Sequence, residues 1–386
     1  MDSTSGDSIQ SVLSIRNLSV KYRTRTREIT ALRRVNLEIR PSEIIAIVGE
    51  SGSGKSTLGL SIMNLLSRPP AEFESGEILY EGKNILALDD SEMAKIRGTG
   101  ISMIFQEPMS SLDPVYRVSR QLSEAIEVRD NRSGSGSSIH APHNMAQSST
   151  SETEPHGLSS RLLGNVASGQ GKGDLPGRTR KSKYSGEMVE VLKKVQIPDP
   201  IRVLDKYPHQ LSGGMAQRVM IAQALLEKPA MLIADEPTSA LDVTTQAQVL
   251  GLMKNLRDEI KTSILFITHD LAVAAQIADR VLVMYAGEIV EDSPLEDIFD
   301  KPLHPYTEGL IRSYPRMYKS QGNLESISGE IPDLRNIPPG CPFHPRCRYA
   351  FDTCLVNHPA LVEITPEHKV SCFLRSEQTV APTANS

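Results

Sequence analysis

Apolar and polar positions alternate in two short stretches near the start of the chain, Val12-Leu13-Ser14-Ile15 and Val35-Asn36-Leu37-Glu38-Ile39. A period of two predicts strands with one buried face. Ile44-Ile45-Ala46-Ile47-Val48 does not alternate, and a continuous apolar run of this length predicts a parallel strand covered on both faces. It leads into GESGSGKST and then LGLSIMNLL, a helical pattern that Pro69-Pro70 stops. Two further apolar runs, Met231-Leu232-Ile233-Ala234 and Ser263-Ile264-Leu265-Phe266-Ile267-Thr268, end in Asp235-Glu236-Pro237 and His269-Asp270. Buried strands with polar residues at their C-terminal ends, and helices between them, predict an α/β fold. Its parallel sheet carries the site along one edge.

Two stretches depart from that pattern. Residues 131–183 are rich in Ser, Gly, Arg and Lys with almost no periodic apolar positions, so they are expected to be a flexible insertion. Basic residues there (Arg178, Arg180, Lys181 and Lys183) could touch anionic lipid or a partner, although a solvated loop is the plainer expectation. The layout expected is therefore a disordered 1–11, a main unit over 12–291 and a small Pro- and Cys-containing accessory domain over 292–376. A disordered tail over 377–386 completes it.

Composition narrows the class further. Hydrophobic residues make up 39% and charged residues 23%, with a net charge of −5; this balance suits a globular protein and carries no basic footprint for nucleic acid. No apolar run approaches the roughly 18–20 residues that span a bilayer. The polar, acidic N-terminus does not resemble a signal peptide, so a cytoplasmic protein is expected.

Gly49-Glu50-Ser51-Gly52-Ser53-Gly54-Lys55-Ser56 fits the pattern G-x-x-x-x-G-K-[ST] in full. Glycines let successive backbone N–H groups turn inward around phosphate oxygens at the positive end of the following helix. Gly49, Ser51, Gly52, Ser53, Gly54 and Thr57 are expected to line that cradle. Lys55 supplies a charge for the β- and γ-phosphates, and Ser56 a hydroxyl for Mg²⁺. Asp235 ends a buried strand, where a carboxylate is costly without a cation, and in a phosphate-loop protein that cation is Mg²⁺. Glu236, the next residue, points differently and is expected to polarise the attacking water. His269, at the end of another strand, is expected to contact the γ-phosphate.

Leu211-Ser212-Gly213-Gly214-Met215-Ala216-Gln217-Arg218 resembles the LSGGQ signature of ATP-binding cassette proteins, with Met215 at the fifth place. Gln106, in Phe105-Gln106-Glu107-Pro108, resembles the Q-loop, and Ser239-Ala240-Leu241-Asp242 resembles the D-loop; Tyr22 stands where an aromatic stacks on adenine. The resemblance implies a RecA-like core, an antiparallel β subdomain and an α-helical subdomain. It also implies two cassettes facing head to tail, each ATP held between one P-loop and the Ser212, Gly213 and Gly214 of the other subunit, with Asp242 at the same interface. Gln106 would sense the γ-phosphate and Mg²⁺ while its loop touches a membrane partner.

Gln106 to Pro114 (QEPMSSLDP), Tyr207 to Met215 (YPHQLSGGM) and His304-Pro305-Tyr306-Thr307 resemble, more narrowly, the ATPase subunits of oligopeptide and dipeptide importers. That group also includes nickel and oligosaccharide importers. The implied assembly has two transmembrane permeases, a second ATPase subunit (a heterodimer preferred over a homodimer) and an extracytoplasmic solute-binding protein. This chain would lie on the cytoplasmic face of the membrane. A soluble cassette acting in DNA repair or translation is the alternative, but such proteins usually pair two cassettes in one chain or carry long coiled coils, and no heptad run is present. A non-hydrolysing partner would have degraded catalytic positions, whereas Lys55, Asp235, Glu236 and His269 are intact.

All four cysteines, Cys341, Cys347, Cys354 and Cys372, fall in one short segment. Their spacing lacks the close pairs usual at zinc, and a reducing compartment disfavours disulfides. The residues alone leave an iron–sulfur cluster, zinc and free thiols open. The resemblance implies a [4Fe–4S] cluster, because peptide-importer ATPases often carry such GCPFHPRC-like segments.

Overall fold

The computed structural model describes residues 11–24, 27–133, 177–239, 241–313 and 327–375. The alternating stretches near the start belong to longer strands than their local pattern suggests. β1 (Leu13–Arg23) and β2 (Glu28–Ile39) pair antiparallel from Leu13↔Ile39 to Arg23↔Glu28. The chain then forms β3 (Ile44–Val48), buried at every residue, before β4 (Ala71–Tyr80) and β5 (Lys83–Asn84) return to the first pair. The resulting antiparallel sheet has the order β2-β1-β4-β5.

β3 founds the second sheet, with β6 (Ile101–Ile104), β7 (Met231–Asp235), β8 (Ser263–Thr268), β9 (Arg280–Tyr285) and β10 (Glu288–Pro294). β11 (Val362–Thr365) and β12 (His368–Val370) complete it, in the order β11-β12-β10-β9-β3-β8-β7-β6. Strands β9, β3, β8, β7 and β6 run parallel, and their apolar runs are covered on both faces, as parallel strands require. The remaining pairs, β9–β10, β10–β12 and β12–β11, are antiparallel.

A helical layer covers one side. Helices Val118–Ser133 and Gly177–Lys194 pack on Gly213–Glu227. Leu122, Ile126, Met188, Leu192, Val219 and Ile221 join Leu232 and Phe266 of the sheet in one core. Both flanking helices run into the stretch expected to be a flexible insertion, so 131–133 and 177–183 are helical rather than loop. The physical reason is a tie below those ends, where Arg129 Nη2 donates to Glu187 Oε2 at 3.2 Å and Nη1 to Leu226 O at 3.1 Å. Residues 134–176, the rest of that insertion, lie outside the described residues, as do 1–10 and 376–386.

The segment after residue 291 is stitched to the main sheet rather than set apart from it. β12 pairs with β10 through Glu291↔Val370 and Asp292↔Lys369. Tyr306, Ile311 and Phe343 share a core with Val48, Val283, Tyr285 and Val290. Among the described residues no helix is long and apolar enough to cross a membrane.

Candidate nucleotide site

β3 ends at Val48, and the phosphate loop follows without a spacer. Its backbone path excludes side chains at two places. A Cβ on Gly49 would stand 2.2 Å from Met284 O, and one on Gly54 would stand 2.6 Å from Ala31 O. Gly54 also holds φ +104°, and Gly52 φ +80°, which glycine reaches without steric cost. The loop runs straight into helix Lys55–Ile62, whose first N–H groups have no intrahelical partner. Thr57 lies in that first turn, and Ser53 is buried beneath the loop while Ser51 is exposed.

Lys55 is buried, with its ammonium folded back over the loop. Nζ donates to Gly49 O at 2.8 Å, to Glu50 O at 2.9 Å and to Ser53 Oγ at 3.4 Å. Burial pulls its pKa down, and the nearby carboxylates of Glu236, Asp235 and Glu50 oppose that shift. A charge held in so little water is worth more to an incoming phosphate than an exposed lysine would be.

Ser56 Oγ donates to Asp235 Oδ1 at 3.1 Å, joining the helix's first turn to the end of β7. Burial pushes the Asp235 carboxyl upward, the Ser56 hydrogen bond and Lys55 pull it back, and Glu236 adds to the rise. A buried carboxylate beside a hydroxyl, lacking a full counter-charge, is a fitting oxygen pair for a hard divalent cation. Glu236 leaves the strand with φ +46°, its N–H bonded to Ile267 O at 2.9 Å. Its carboxylate is approached from both sides, by Gln106 Nε2 to Oε2 at 3.2 Å and His269 Nδ1 to Oε1 at 3.2 Å. Residues from β3, β6, β7 and β8 thus converge at the C-terminal edge of the parallel strands.

The remaining expected site residues stand apart. Ser212 Oγ accepts from Met215 N at 3.3 Å and caps helix Gly213–Glu227. Ser212 and Gly213 are exposed, and Gly214 faces Leu241 Cδ2, 3.4 Å from where its Cβ would lie. Asp242 caps helix Val243–Ile260, accepting from Thr245 N at 3.0 Å and Thr245 Oγ1 at 2.7 Å, and those bonds hold its carboxyl below the usual range. Tyr22 is half-buried on β1, between Ile29 of β2 and Ala71 of β4. Among the described residues no hydrogen bond joins Tyr22, Ser212, Gly213, Gly214 or Asp242 to Lys55, Asp235 or Glu236. Ala240, in the expected D-loop, lies outside the described residues.

Two polar centres escape the motif reading. Glu291, fully buried on β10, accepts from Leu303 N at 2.7 Å, His304 N at 2.9 Å and His368 Nε2 at 2.8 Å. Glu50, inside the phosphate loop, pairs with Arg346 from the C-terminal segment. Both contacts bridge distant parts of the chain, and no local signal marks them.

Cys341, Cys347, Cys354 and Cys372 line one cavity with His304, Phe343, Tyr349 and Phe351. Its volume is about 20 Å³, roughly the space of one water. Burial pushes Cys341 up to about 12 and Cys372 up to about 11, and raises Cys347 as well. Among the described residues no three His, Cys, Asp or Glu side chains converge closely enough to hold one metal ion.

Two family profiles match the chain. The ABC transporter profile covers residues 32–239, and the profile for the oligopeptide/dipeptide transporter C-terminal region covers residues 290–354. A putative peptide import ATP-binding protein of Brucella ovis is 41% identical over 375 residues, 94% of this chain and 97% of that protein. The oligopeptide transport ATP-binding protein OppD of Bacillus subtilis is 40% identical over 364 residues, 94% of this chain and 88% of that protein. Among solved structures, the ATP-binding cassette MJ0796, a dimer bound to ADP and Pi, superposes with a TM-score of 0.54 at 27% identity. That match covers 73% of this chain and 98% of MJ0796. A P-loop, a Ser56–Asp235 pair and a Gln106–Glu236–His269 cluster on one strand edge, together with this similarity over nearly the whole length, establish that the chain belongs to the ABC transporter family, as an ATP-binding subunit of the oligopeptide and dipeptide import type.

Proposed function

We propose that this chain hydrolyses ATP to drive uptake of di- or oligopeptides through two membrane permeases. The observation that carries the reading is the Glu236 carboxylate, held between Gln106 and His269 directly after the Ser56–Asp235 pair. Lys55 and the loop amides grip the β- and γ-phosphates. Ser56 and Asp235, with Gln106 near by, would hold Mg²⁺, which neutralises phosphate charge when bound. Glu236 orients and deprotonates the attacking water, and His269 steadies the γ-phosphate. The exposed N-terminus of helix Gly213–Glu227 is free to meet the nucleotide of a second cassette, preferably a different subunit. Tyr22 and Asp242 take the adenine and the dimer interface in this reading. Glu236→Gln should bind ATP and accumulate closed dimers while hydrolysis falls by about two orders of magnitude or more. Wild-type turnover in that variant would remove Glu236 from its role.

The peptide cargo is supported by the match to the oligopeptide/dipeptide transporter C-terminal region and by the names of the relatives, a putative peptide import and an oligopeptide transport ATP-binding protein. The permease surface fits the stretch after Gln106, where Met109 is 45%, Val115 70% and Tyr116 52% exposed. Vesicles carrying both permeases and the solute-binding protein should then take up labelled peptide on addition of ATP. Uptake of nickel or an oligosaccharide in its place would redirect the cargo within the class. This assembly places the chain at the cytoplasmic face of the membrane.

We further propose that Cys341, Cys347, Cys354 and Cys372 hold a [4Fe–4S] cluster. What supports this reading is that the four thiols, all from one short segment, line one cavity. The void is smaller than such a centre, so occupancy requires its aromatic walls to part. The cluster would act as a cross-link, since ATP hydrolysis transfers no electrons. Anaerobically purified protein should contain iron and sulfide in equal amounts, and protein without either would exclude the cluster.

A further inference from the structure

Glu50 belongs to the phosphate loop, yet it is held from outside. Its backbone N–H donates to Tyr306 Oη at 2.9 Å. Its carboxylate receives the guanidinium of Arg346 as a fork, Nη1 to Oε2 at 2.7 Å and Nη2 to Oε1 at 2.9 Å. The arginine is built into its place. Its side chain is only 4% exposed, Nε donates to Ser328 O at 3.1 Å, and Nη1 reaches Tyr285 Oη at 3.4 Å. Its stem crosses Gly329, where a Cβ would come within 3.1 Å of Arg346 Cγ. The turn His344–Arg346 that presents it is bonded at both ends, His344 N to Cys341 O at 3.0 Å and Cys347 N to His344 O at 3.2 Å. What holds those two cysteines therefore also holds the arginine.

Burying a guanidinium this deeply is costly unless a carboxylate answers it, and here the answering carboxylate sits in the phosphate cradle. The same Glu50 offers its carbonyl to Lys55 Nζ. Left unpaired, its negative charge would oppose a triphosphate at short range in a partly desolvated site. We propose that Arg346 is a positioning residue of the nucleotide site: it cancels the Glu50 charge and fixes that residue, so that the loop accepts ATP only while the C-terminal segment is docked. A purely structural contact would make the same pair without any bearing on phosphate affinity.

The two roles separate when both charges are removed. Affinity for a fluorescent ATP analogue with Mg²⁺ is measured on the full chain for Arg346→Gln, Arg346→Lys and the double variant Glu50→Gln with Arg346→Gln. Arg346→Gln should weaken binding about fivefold or more, the floor set by one unit charge about 4 Å away even at the dielectric of bulk water. Arg346→Lys should lie between, keeping the charge but losing the fork. The double variant should return to within about threefold of wild type, because no unpaired carboxylate remains. Binding by the double variant as weak as by Arg346→Gln, or wild-type binding by Arg346→Gln, overturns the proposal. Should Arg346→Gln fail to fold, Arg346→Lys and the double variant decide together: weaker binding by Arg346→Lys with near-normal binding by the double variant supports the role, and equal binding by the two refutes it.

Discussion

Glu236 holds a backbone conformation that its own side chain disfavours. At φ +46° the Cβ crowds the following carbonyl, a penalty of about 1–2 kcal/mol for any residue but glycine. The return on that strain is direction. One residue after Asp235 the chain turns sharply enough to aim two adjacent carboxylates at different partners, Asp235 at Ser56 and Glu236 at Gln106 and His269. Strain of this kind persists where surrounding contacts over-determine it, and here the N–H bond to Ile267 does so. Comparing two variants that both lack the carboxylate isolates the backbone contribution. Glu236→Gly should be more stable than Glu236→Ala by about 1 kcal/mol, read as a higher denaturant midpoint with an unchanged slope. Equal midpoints would mean that the turn is unstrained. Both variants should be inactive, so stability and catalysis pull in opposite directions at this position.

Among the elements, β10 and helix Pro305–Arg312 have the least familiar logic. A strand reading Glu288-Ile289-Val290-Glu291-Asp292-Ser293-Pro294 is buried along almost its whole length despite three acidic residues. It tolerates them because each is answered, Glu288 by His358 and Arg33, Glu291 by His368 and two backbone N–H groups, and Asp292 by a bidentate Arg280. His304 caps the helix by accepting from Tyr306 N at 3.0 Å, and burial pulls its pKa down to about 4. In the unfolded chain the imidazole titrates near 6.5. The contribution to stability is therefore present above pH 6.5 and is lost as pH falls toward 4, by up to roughly 3 kcal/mol. His304→Asn retains a capping side chain and removes the titration. Its unfolding free energy should fall less than that of wild type between pH 7 and pH 4.5, and parallel pH profiles would exclude His304 as the source. The nucleotide loop was readable from sequence because its chemistry is contiguous: glycines, lysine and serine sit in eight consecutive residues. The strands bearing Asp235 and His269 were equally plain, since apolar runs need no distant partner to be recognised. Glu291, Glu50 and Arg346 were not readable, because each meets its side-chain partner only across a long separation in the chain. Helices entering 131–183 were missed for a related reason: Arg129 and Glu187 meet only after the chain has closed the whole insertion.

At the scale of the whole molecule, the C-terminal segment behaves as part of the cassette rather than as an appendage. Three attachments act together: β12 covers the edge of β10, Tyr306 and Phe343 pack on Tyr285, and Arg346 reaches the phosphate loop. The MJ0796 match covers only 73% of this chain, so a cassette fold can exist without everything present here. Whether this cassette can is a question of what truncation would uncover. Ending the chain after Pro294 would expose the hydrogen-bonding edge of β10 and leave Glu291 buried without His304 or His368. It would also strip the aromatic cover from Tyr285. An unpartnered buried carboxylate and a bare apolar face each cost several kcal/mol, against a total stability of about 5–15 kcal/mol. The truncated chain should therefore aggregate, or unfold more than about 10 °C below the full chain, as read by gel filtration and thermal unfolding without nucleotide. A monodisperse truncated protein that unfolds cooperatively within a few degrees of the full chain would show that the segment is an added module. In that event its consequential contacts with the site would be the fork between Arg346 and Glu50 and the bond from the Glu50 N–H to Tyr306 Oη.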